Sequence, residues 1–293
     1  MRFEKWQALG NDYLIVERDE LPFELTPARI GRLCAGHFGV PADGVLLLSQ
    51  PSDPANVADL RIFNPDGSEA ELSGNGARQA ILYLRRRGWT EEDRFSIHTA
   101  AGTVRPTITG PDTCTVDMGS AALRSADFPG GPEDGRGEVV AGGRRWRFRH
   151  VSIGNPQCAI RVDSLEELAA LDLAAIGPEI EVDAQFPNRT NVSWYSELAS
   201  GAATDGRRIR ARIFERGVGE TLSSGTGASG AAVALVEDRG GRPGGTRVTV
   251  LLDGGELEVE VGEDLRVNLT GWARPVFGGR LSDEFTKELH ETE

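Results

Sequence analysis

The feature that most constrains the fold of this chain is a phrase that occurs twice. The segment SGNGA at positions 73–77 returns as SGTGA at positions 224–228, and Glu69 precedes the first copy at the same spacing as Glu220 precedes the second. In both copies a segment of strand-like alternation comes before the glycines, and an apolar, helix-like segment comes after them. The repeat indicates an internal duplication and predicts two similar domains that face each other across a cleft.

Each copy of the repeat also has the form of an anion-binding turn. Glycines between a strand and a helix leave backbone N–H groups uncovered at the positive end of the helix, where a carboxylate or a phosphate is stabilised. A single Gly-x-Gly turn is also what a tight turn with close helix packing requires. Because two unrelated turns need not share five positions, the duplication favours ligand binding at both helix starts.

Length and charge narrow the class of protein. At 293 residues the chain is longer than the usual single domain of roughly 100–200 residues, which agrees with two domains. A net charge of −13 repels a phosphate backbone, so nucleic acid is not expected as a partner. The first residues, MRFEKWQALGNDY, carry early charges and lack the apolar stretch of a signal peptide, and no run of roughly 18 apolar residues follows. These features predict a cytoplasmic protein without a membrane segment.

The hydrophobic pattern predicts an α+β protein. Short alternating segments bounded by Gly, Asp and Pro predict mainly antiparallel strands joined by tight turns. Helical periodicity is expected at positions 26–38, 76–89, 164–180 and 226–241. Thr26 and Ser164 are the expected N-caps of two of these helices. The Gly/Pro-rich stretches at positions 125–145 and 237–246 predict loops.

The cysteines and histidines form neither a disulfide pattern nor a metal-binding pattern. Cys34, Cys114 and Cys158 are widely spaced without a C-x-x-C pair, so each is expected to be a small buried hydrophobe. The four histidines are scattered singly along the chain. No metal site is therefore predicted.

Nine motifs give the chain a resemblance to the diaminopimelate epimerase family, in the order and approximate spacing found there. They are ALGNDYLIVE, CAGHFGVPADGVLLL, LRIFNPDGSEAELSGNGAR, TAAG, VDMG, IGNPQCAI, FPNRTNVSW, ARIFERGVGETLSSGTGA and DGGELEVEV. The resemblance implies two pseudo-symmetric domains, each a strongly curved, mainly antiparallel sheet wrapped around a central helix. We expect residues 1–119 with 275–293 in one domain and residues 120–274 in the other. The family further implies a small amino-acid substrate, a homodimer and catalysis without a cofactor.

The same resemblance assigns the catalytic positions, and three of them depart from the family pattern. The family uses two cysteines, each directly before a Gly-x-Gly turn, to remove the α-proton from one face of the substrate and to deliver a proton to the other. Both positions are serine here, Ser73 and Ser224. The histidine that usually pairs with the first cysteine is replaced by Gln157, whereas Glu215, which pairs with the second, is retained. A hydroxyl is a far poorer base than a thiol, so two-thiol epimerisation is not expected in this chain.

The substrate-binding positions of the family, by contrast, are retained. Those that match substrate-contacting residues are Asn11, Asn64, Asn155, Asn191 and Arg216. Those that match the carboxylate-binding turns are Gly74, Asn75, Gly225 and Thr226. A single asparagine of this kind is usually a turn or capping residue. Because all of these residues fall on family motifs, the resemblance implies a retained amino-acid site.

Three functions are compatible with a retained site whose acid–base groups have changed. The first is an epimerase or racemase of diaminopimelate or a similar amino acid, with Ser73 and Ser224 in the catalytic positions and Glu215 as a direct base. The second is a related isomerase, dehydratase or lyase acting on another amino acid, with Glu215 as its single base. The third is a catalytically silent amino-acid-binding paralogue. The epimerase is favoured, because the whole binding set is retained.

The two serines are also what a pair of engineered Cys→Ser substitutions would leave. Such substitutions are made to trap a bound substrate. They give no reason to alter the histidine as well, so Gln157 favours a natural, divergent member of the family.

Overall fold

The computed structural model describes residues 1–198, 207–241 and 244–292, which group into two compact units. Unit 1 comprises Met1–Val116 with Gly271–Glu293, and unit 2 comprises Asp117–Thr270. The domain boundaries that the family resemblance implies, at 119/120 and 274/275, stay a prediction. No helix in the described part of the chain is long and apolar enough to cross a membrane.

The described residues form short strands and a smaller number of helices. The strands are β1 (Arg2–Ala8), β2 (Asn11–Glu17), β3 (Val45–Ser49), β4 (Ala58–Phe63), β5 (Glu69–Ala70), β6 (Ile97–Thr99), β7 (Gly102–Val104), β8 (Pro106–Gly110), β9 (Thr113–Ser120), β10 (Arg136–Ala141), β11 (Arg144–Ser152), β12 (Pro156–Arg161), β13 (Asn191–Glu197), β14 (Arg207–Glu215), β15 (Gly219–Thr221), β16 (Thr246–Leu252), β17 (Gly255–Val261), β18 (Arg266–Trp272) and β19 (Arg274–Arg280). The α-helices are α1 (Pro27–Cys34), α2 (Gly74–Arg86), α3 (Leu165–Ala170), α4 (Leu173–Glu181), α5 (Gly225–Arg239) and α6 (Asp283–Glu291).

Unit 1 is built on one sheet that carries the helix α2. The order across the sheet is β19-β1-β2-β3-β4-β6-β7, and β5 pairs with β4. The pairs β2/β3 and β4/β6 are parallel, and the others are antiparallel. Helix α2 packs against β1, β2 and β3 and is buried from Asn75 to Leu84. A helix that is buried over nearly its whole length lies in the core of its unit rather than on its surface.

Unit 2 repeats this plan with a larger sheet. Its strands follow the order β10-β11-β12-β13-β14-β16-β17-β18, and β15 pairs with β14. Again two pairs are parallel, β12/β13 and β14/β16. Helix α5 packs against β11–β14, β16 and β17. The prediction of an α+β fold with a central helix in each half is confirmed.

Small residues allow α5 to approach its sheet closely. A Cβ atom added at Gly227 would lie 2.8 Å from Cδ1 of Ile213, and one added at Gly230 would lie 2.8 Å from Cβ of Gln157. Real Cβ atoms do not approach that closely, so any side chain at either position would push the helix away from the sheet. The glycines therefore fix the distance between the helix start and the strands that carry the candidate site.

Several local predictions are confirmed, and three are wrong. The helix expected at 26–38 ends at Cys34. Thr26 and Ser164 cap α1 and α3 as predicted, because each hydroxyl accepts a backbone N–H of the first turn. The helix expected at 164–180 is two helices, because Asp172 interrupts it and caps the second. The loop expected at 125–145 contains β10, which pairs with β11 and buries Val139. Part of the loop expected at 237–246 lies outside the described residues.

Candidate active site

The two serines of the repeated phrase occupy equivalent positions at the starts of the two central helices. Ser73 is the N-cap of α2, and its Oγ accepts a hydrogen bond from the Gly76 N–H at 3.1 Å. Ser224 is the N-cap of α5, and its Oγ accepts one from the Gly227 N–H at 3.3 Å. Each serine oxygen thus lies at the positive end of a helix dipole, where a negative charge is stabilised.

The structural repeat extends beyond residues 73–77 and 224–228. Arg61 on β4 forms an ion pair with Glu69 at 2.7 Å. Arg212 on β14 forms the equivalent ion pair with Glu220, also at 2.7 Å. Since both pairs precede their helix at the same spacing, the strand, turn and helix of one unit correspond residue by residue to those of the other.

Glu215, at the end of β14, is bonded through both carboxylate oxygens. Oε2 accepts a hydrogen bond from the Ser224 hydroxyl at 3.0 Å, and Oε1 accepts one from the Thr221 hydroxyl at 2.8 Å. Burial raises the pKa of Glu215 above its ordinary value, while the two hydroxyl hydrogen bonds act in the opposite direction. A carboxylate with a raised pKa binds a proton more tightly than an exposed one, as a general base near neutral pH requires.

Gln157 begins a partly buried chain of hydrogen bonds that leads through Asn155 to the start of α5. Its Nε2 donates to Oδ1 of Asn155 at 2.7 Å, and Nδ2 of Asn155 lies 3.3 Å from Oγ1 of Thr226. The side chain of Gln157 is fully buried, and its Oε1 has no hydrogen-bond partner among the described residues. An amide in this place orients Asn155 but transfers no proton.

The segment that carries Arg216 is fixed by side chains from two other elements. Oδ1 of the buried Asn191 accepts the Arg216 N–H at 3.0 Å, and its Nδ2 donates to the Pro156 carbonyl at 2.9 Å. The Arg216 guanidinium donates through Nη1 to the Asn188 carbonyl at 2.7 Å. Gly217 follows Arg216, and its backbone N–H donates to Oε1 of Glu181 at 2.8 Å. These contacts set the direction of the Arg216 side chain.

In unit 1, the structure brings some of the predicted residues to the start of α2. Asn75 lies in the first turn, and its Oδ1 accepts a hydrogen bond from Arg78. The carbonyl of Asn11 accepts from Nε2 of Gln79 on α2 at 3.0 Å, which ties β2 to the helix. Asn64 instead bonds within its own turn, to the Ser68 hydroxyl at 2.9 Å.

Sequence reasoning missed side chains that contact the predicted residues. The Tyr13 hydroxyl lies 3.4 Å from Oγ of Ser73 and is the second hydroxyl at that helix start. Thr221 and Glu181, described above, were also missed. Thr221 stands inside the motif GETLSS and Tyr13 inside GNDY, so their positions in the motifs were the available signal.

The three cysteines of the chain do not supply a base. All are buried, as predicted. Burial raises the pKa of the Cys34 and Cys114 thiols to about 12 and raises that of Cys158 well above its usual range. They are protonated at neutral pH and do not act as bases there. The described residues include no group of three or more His, Cys, Asp or Glu side chains that could hold a metal ion.

The fold and these contacts define a class of protein: a duplicated α+β chain with a hydroxyl-capped helix start in each half and a hydrogen-bonded carboxylate at one of them. The diaminopimelate epimerase family profile matches residues 3–124 and 149–274. The chain belongs to the diaminopimelate epimerase family. The resemblance found in the sequence is thereby confirmed.

Individual relatives match the chain over nearly its whole length. It is 40% identical over 288 residues to a diaminopimelate epimerase of Pelotomaculum thermopropionicum, an alignment that covers 95% of this chain and 98% of the relative. It is 38% identical over 291 residues to one of Synechococcus sp. strain JA-3-3Ab, covering 97% of this chain and 99% of the relative. Among solved structures, a probable proline racemase from Agrobacterium radiobacter K84 shares the fold with a TM-score of 0.70 at 17% identity, covering 99% of this chain and 95% of that chain.

Proposed function

We propose that this protein is a cofactor-independent epimerase that interconverts LL- and meso-diaminopimelate, a step toward lysine and cell-wall precursors. Membership of the diaminopimelate epimerase family over nearly the full chain supports the reaction class and the substrate. The observation that carries the mechanism is the hydrogen-bonded pair of Glu215 and Ser224 at the start of α5. In this pair, the Glu215 carboxylate takes the place of a thiol as the base.

In the proposed mechanism, Glu215 removes the α-proton. A carboxylate oxygen of Glu215 takes the proton as the Cα–H bond breaks, and the electron pair moves into the substrate carboxylate to give an enediolate. The first N–H groups of α5 stabilise the negative charge that develops, while the Ser224 hydroxyl donates to Glu215 and holds the base in place. Burial favours this step, because it raises the proton affinity of the base.

Ser73, at the start of α2, serves the opposite face of the substrate. Its hydroxyl, or a water molecule bonded to it, returns a proton to the α-carbon and takes a proton from solvent water, while Glu215 releases the proton that it removed to solvent. Tyr13 lies within reach of Ser73 and supports the hydroxyl as a donor. Because a hydroxyl is a much weaker acid than a thiol, we expect slow turnover compared with a two-cysteine enzyme.

The remaining predicted residues bind the substrate. Asn155, Asn191 and Arg216 recognise the amino-acid end that does not react, and Arg216 contributes a charge-assisted contact to a carboxylate. Asn11, Asn64 and the turns of the two helix starts complete the site. The homodimeric state and the cytoplasmic location stay predictions.

A related isomerase or lyase with a single base is the second candidate. The observation that favours it is that Glu215 is the titratable acid–base group among the four predicted catalytic residues. One base is sufficient to remove a proton before a double bond shifts or a leaving group departs. A binding protein without catalysis is the third candidate, and one experiment compares the three on diaminopimelate.

That experiment follows LL-diaminopimelate by proton NMR in deuterated buffer. We expect loss of the α-proton signal with the unaltered protein, strong reduction with Glu215→Gln, and faster exchange, by about 100-fold or more, with Ser73→Cys/Ser224→Cys. Ser282→Ala, which removes the N-cap of α6, is the matched control and should leave exchange unchanged.

The other outcomes each contradict the proposal in a different way. New olefinic signals or released ammonia would identify a lyase. No exchange by the folded, unaltered protein, together with measurable binding of the amino acid, would identify the silent paralogue.

A further inference from the structure

Arg78 is a buried cation at the start of the second turn of α2. Its side chain is 0% exposed. Nη2 donates to Oδ1 of Asn75, while Nε and Nη1 have no hydrogen-bond partner among the described residues. Burial lowers the pKa of Arg78 to about 10, so the guanidinium still carries its charge at neutral pH.

The groups around Arg78 do not neutralise this charge. The titratable group that acts on it is the Cys114 thiol on β9. Burial raises the pKa of that thiol to about 12, so Cys114 is uncharged at neutral pH. An unpaired buried charge is strongly unfavourable, and such groups are concentrated at functional sites.

The charge lies beside a helix start that is already positive. Asn75, the partner of Arg78, is in the first turn of α2, and that turn contains no acidic residue. The helix dipole places further partial positive charge on the N–H groups there. Arg78 and the helix dipole therefore act in the same direction, and both favour an anion at this point.

The second repeat differs from the first in the charge of the residue at the Arg78 position. The residue equivalent to Arg78 in α5 is Ser229, whose hydroxyl donates to the carbonyl of Gly225 at 2.9 Å. Conversely, Glu215 occupies the position that Asn64 has in the first repeat. The duplicated helix starts have thus acquired opposite electrostatics, with a buried cation at one and a carboxylate at the other.

We propose that Arg78 is a positioning residue whose charge, directed through Asn75, strengthens the binding of an anion at the start of α2. The identity of the anion as an amino-acid carboxylate rests on the proposed function. The electrostatic effect of Arg78 does not rest on it and is measurable without substrate.

The test uses a thiol as a reporter of the charge. In a Ser73→Cys background, the ultraviolet absorbance of the thiolate is titrated with Arg78→Met, Arg78→Lys and Arg86→Met, and the unaltered protein supplies the background of the native cysteines. Arg86 is an exposed cation of the same helix and is the matched control. Tyr13 faces the reporter and is identical in all variants.

We expect Arg78→Met to lower the thiolate-to-thiol ratio at a given pH on the order of tenfold, because the thiolate loses a nearby cation. Arg78→Lys, which keeps the charge, should restore most of the difference, and Arg86→Met should change little. The melting temperature of Arg78→Met should be equal to or above that of its parent, since a buried unpaired charge has been removed. A purely structural role would lower the melting temperature and leave the thiol titration in place.

The inference is overturned if Arg78→Met titrates within about twofold of its parent, or if Arg86→Met has an equal effect. Should Arg78→Met fail to fold, Asn75→Ala, which releases the guanidinium from the turn, must shift the titration in the same direction. Calorimetry with LL-diaminopimelate separates the two proposals. A protein that does not bind it contradicts the proposed function alone, whereas equal affinity with and without the Arg78 charge contradicts the role of Arg78.

Discussion

Replacing Thr221 by valine tests whether the hydroxyl pair around Glu215 tunes the proposed base. Valine has nearly the same shape as threonine, so Thr221→Val removes the 2.8 Å hydrogen bond to Oε1 and little else. The Ser224 hydroxyl at 3.0 Å from Oε2 remains. Because both bonds favour the ionised carboxylate, loss of one adds to the effect of burial and raises the pKa of Glu215 further.

The size of the effect follows from the type of hydrogen bond. A bond from a neutral donor to a charged acceptor contributes about 1.5–3 kcal/mol. Since about 1.4 kcal/mol corresponds to a factor of ten in a protonation equilibrium, Thr221→Val should increase the proton affinity of Glu215 at least about tenfold. Thr221→Ser keeps the hydroxyl and should titrate close to the unaltered protein.

The assay is carbon-detected NMR of the glutamate side-chain carboxyl groups, with the Glu215 signal assigned by its absence in Glu215→Gln. The titration midpoint of this signal should move to higher pH in Thr221→Val. If α-proton exchange is observed, the acidic limb of its pH profile should move in the same direction. Identical titrations of Thr221→Val and the unaltered protein would refute the argument that Thr221 stabilises the ionised base.

Three further predictions concern stability. Burial raises the pKa of Glu215 in the folded state, so the folded protein holds this proton more tightly than the unfolded chain does. The stability that this proton contributes is lost as the pH rises through the raised pKa. Glu215→Gln should therefore melt at a higher temperature than its parent at pH values above the ordinary carboxyl range, and the difference between their melting temperatures should vanish below that range. Gly230→Ala should lower the free energy of unfolding by about 1–3 kcal/mol, despite the better helix propensity of alanine, because its Cβ would lie 2.8 Å from Cβ of Gln157; denaturant melts should show a smaller loss when the same change is made in a Gln157→Gly background, which lacks that Cβ, and full additivity of the two changes would contradict the clash. Ser164→Ala should lower the free energy of unfolding by about 1 kcal/mol, because α3 loses its N-cap, and Ser164→Asp is the control that keeps an acceptor. Equal melting temperatures of the unaltered protein, Ser164→Ala and Ser164→Asp would mean that the cap contributes nothing.

Much of the fold was predictable because its signals are local. The repeated phrase predicted two equivalent helix starts, and the structure places Ser73 and Ser224 as their N-caps. Thr26 and Ser164 were identified as caps for the same reason, since a cap depends on residues within one turn. The loop expected at 125–145 was wrong because two of its glycines, Gly142 and Gly143, form the two-residue turn of a β-hairpin rather than part of a loop. Strand β10 forms there because β11 supplies its hydrogen-bond partners and the sheet buries alternate side chains.

The sequence by itself determined the duplication, the α+β class and the presence of serine at both helix starts, because each of these is a property of residue identity or short-range spacing. The tertiary structure alone decided which groups meet. Thr221 and Ser224 both donate to Glu215 because a strand end and a helix start converge. Arg78 keeps a charge beside a neutral Cys114 because the fold buries both. Proton affinity depends on burial and on such neighbours, and neither is set until the chain has folded.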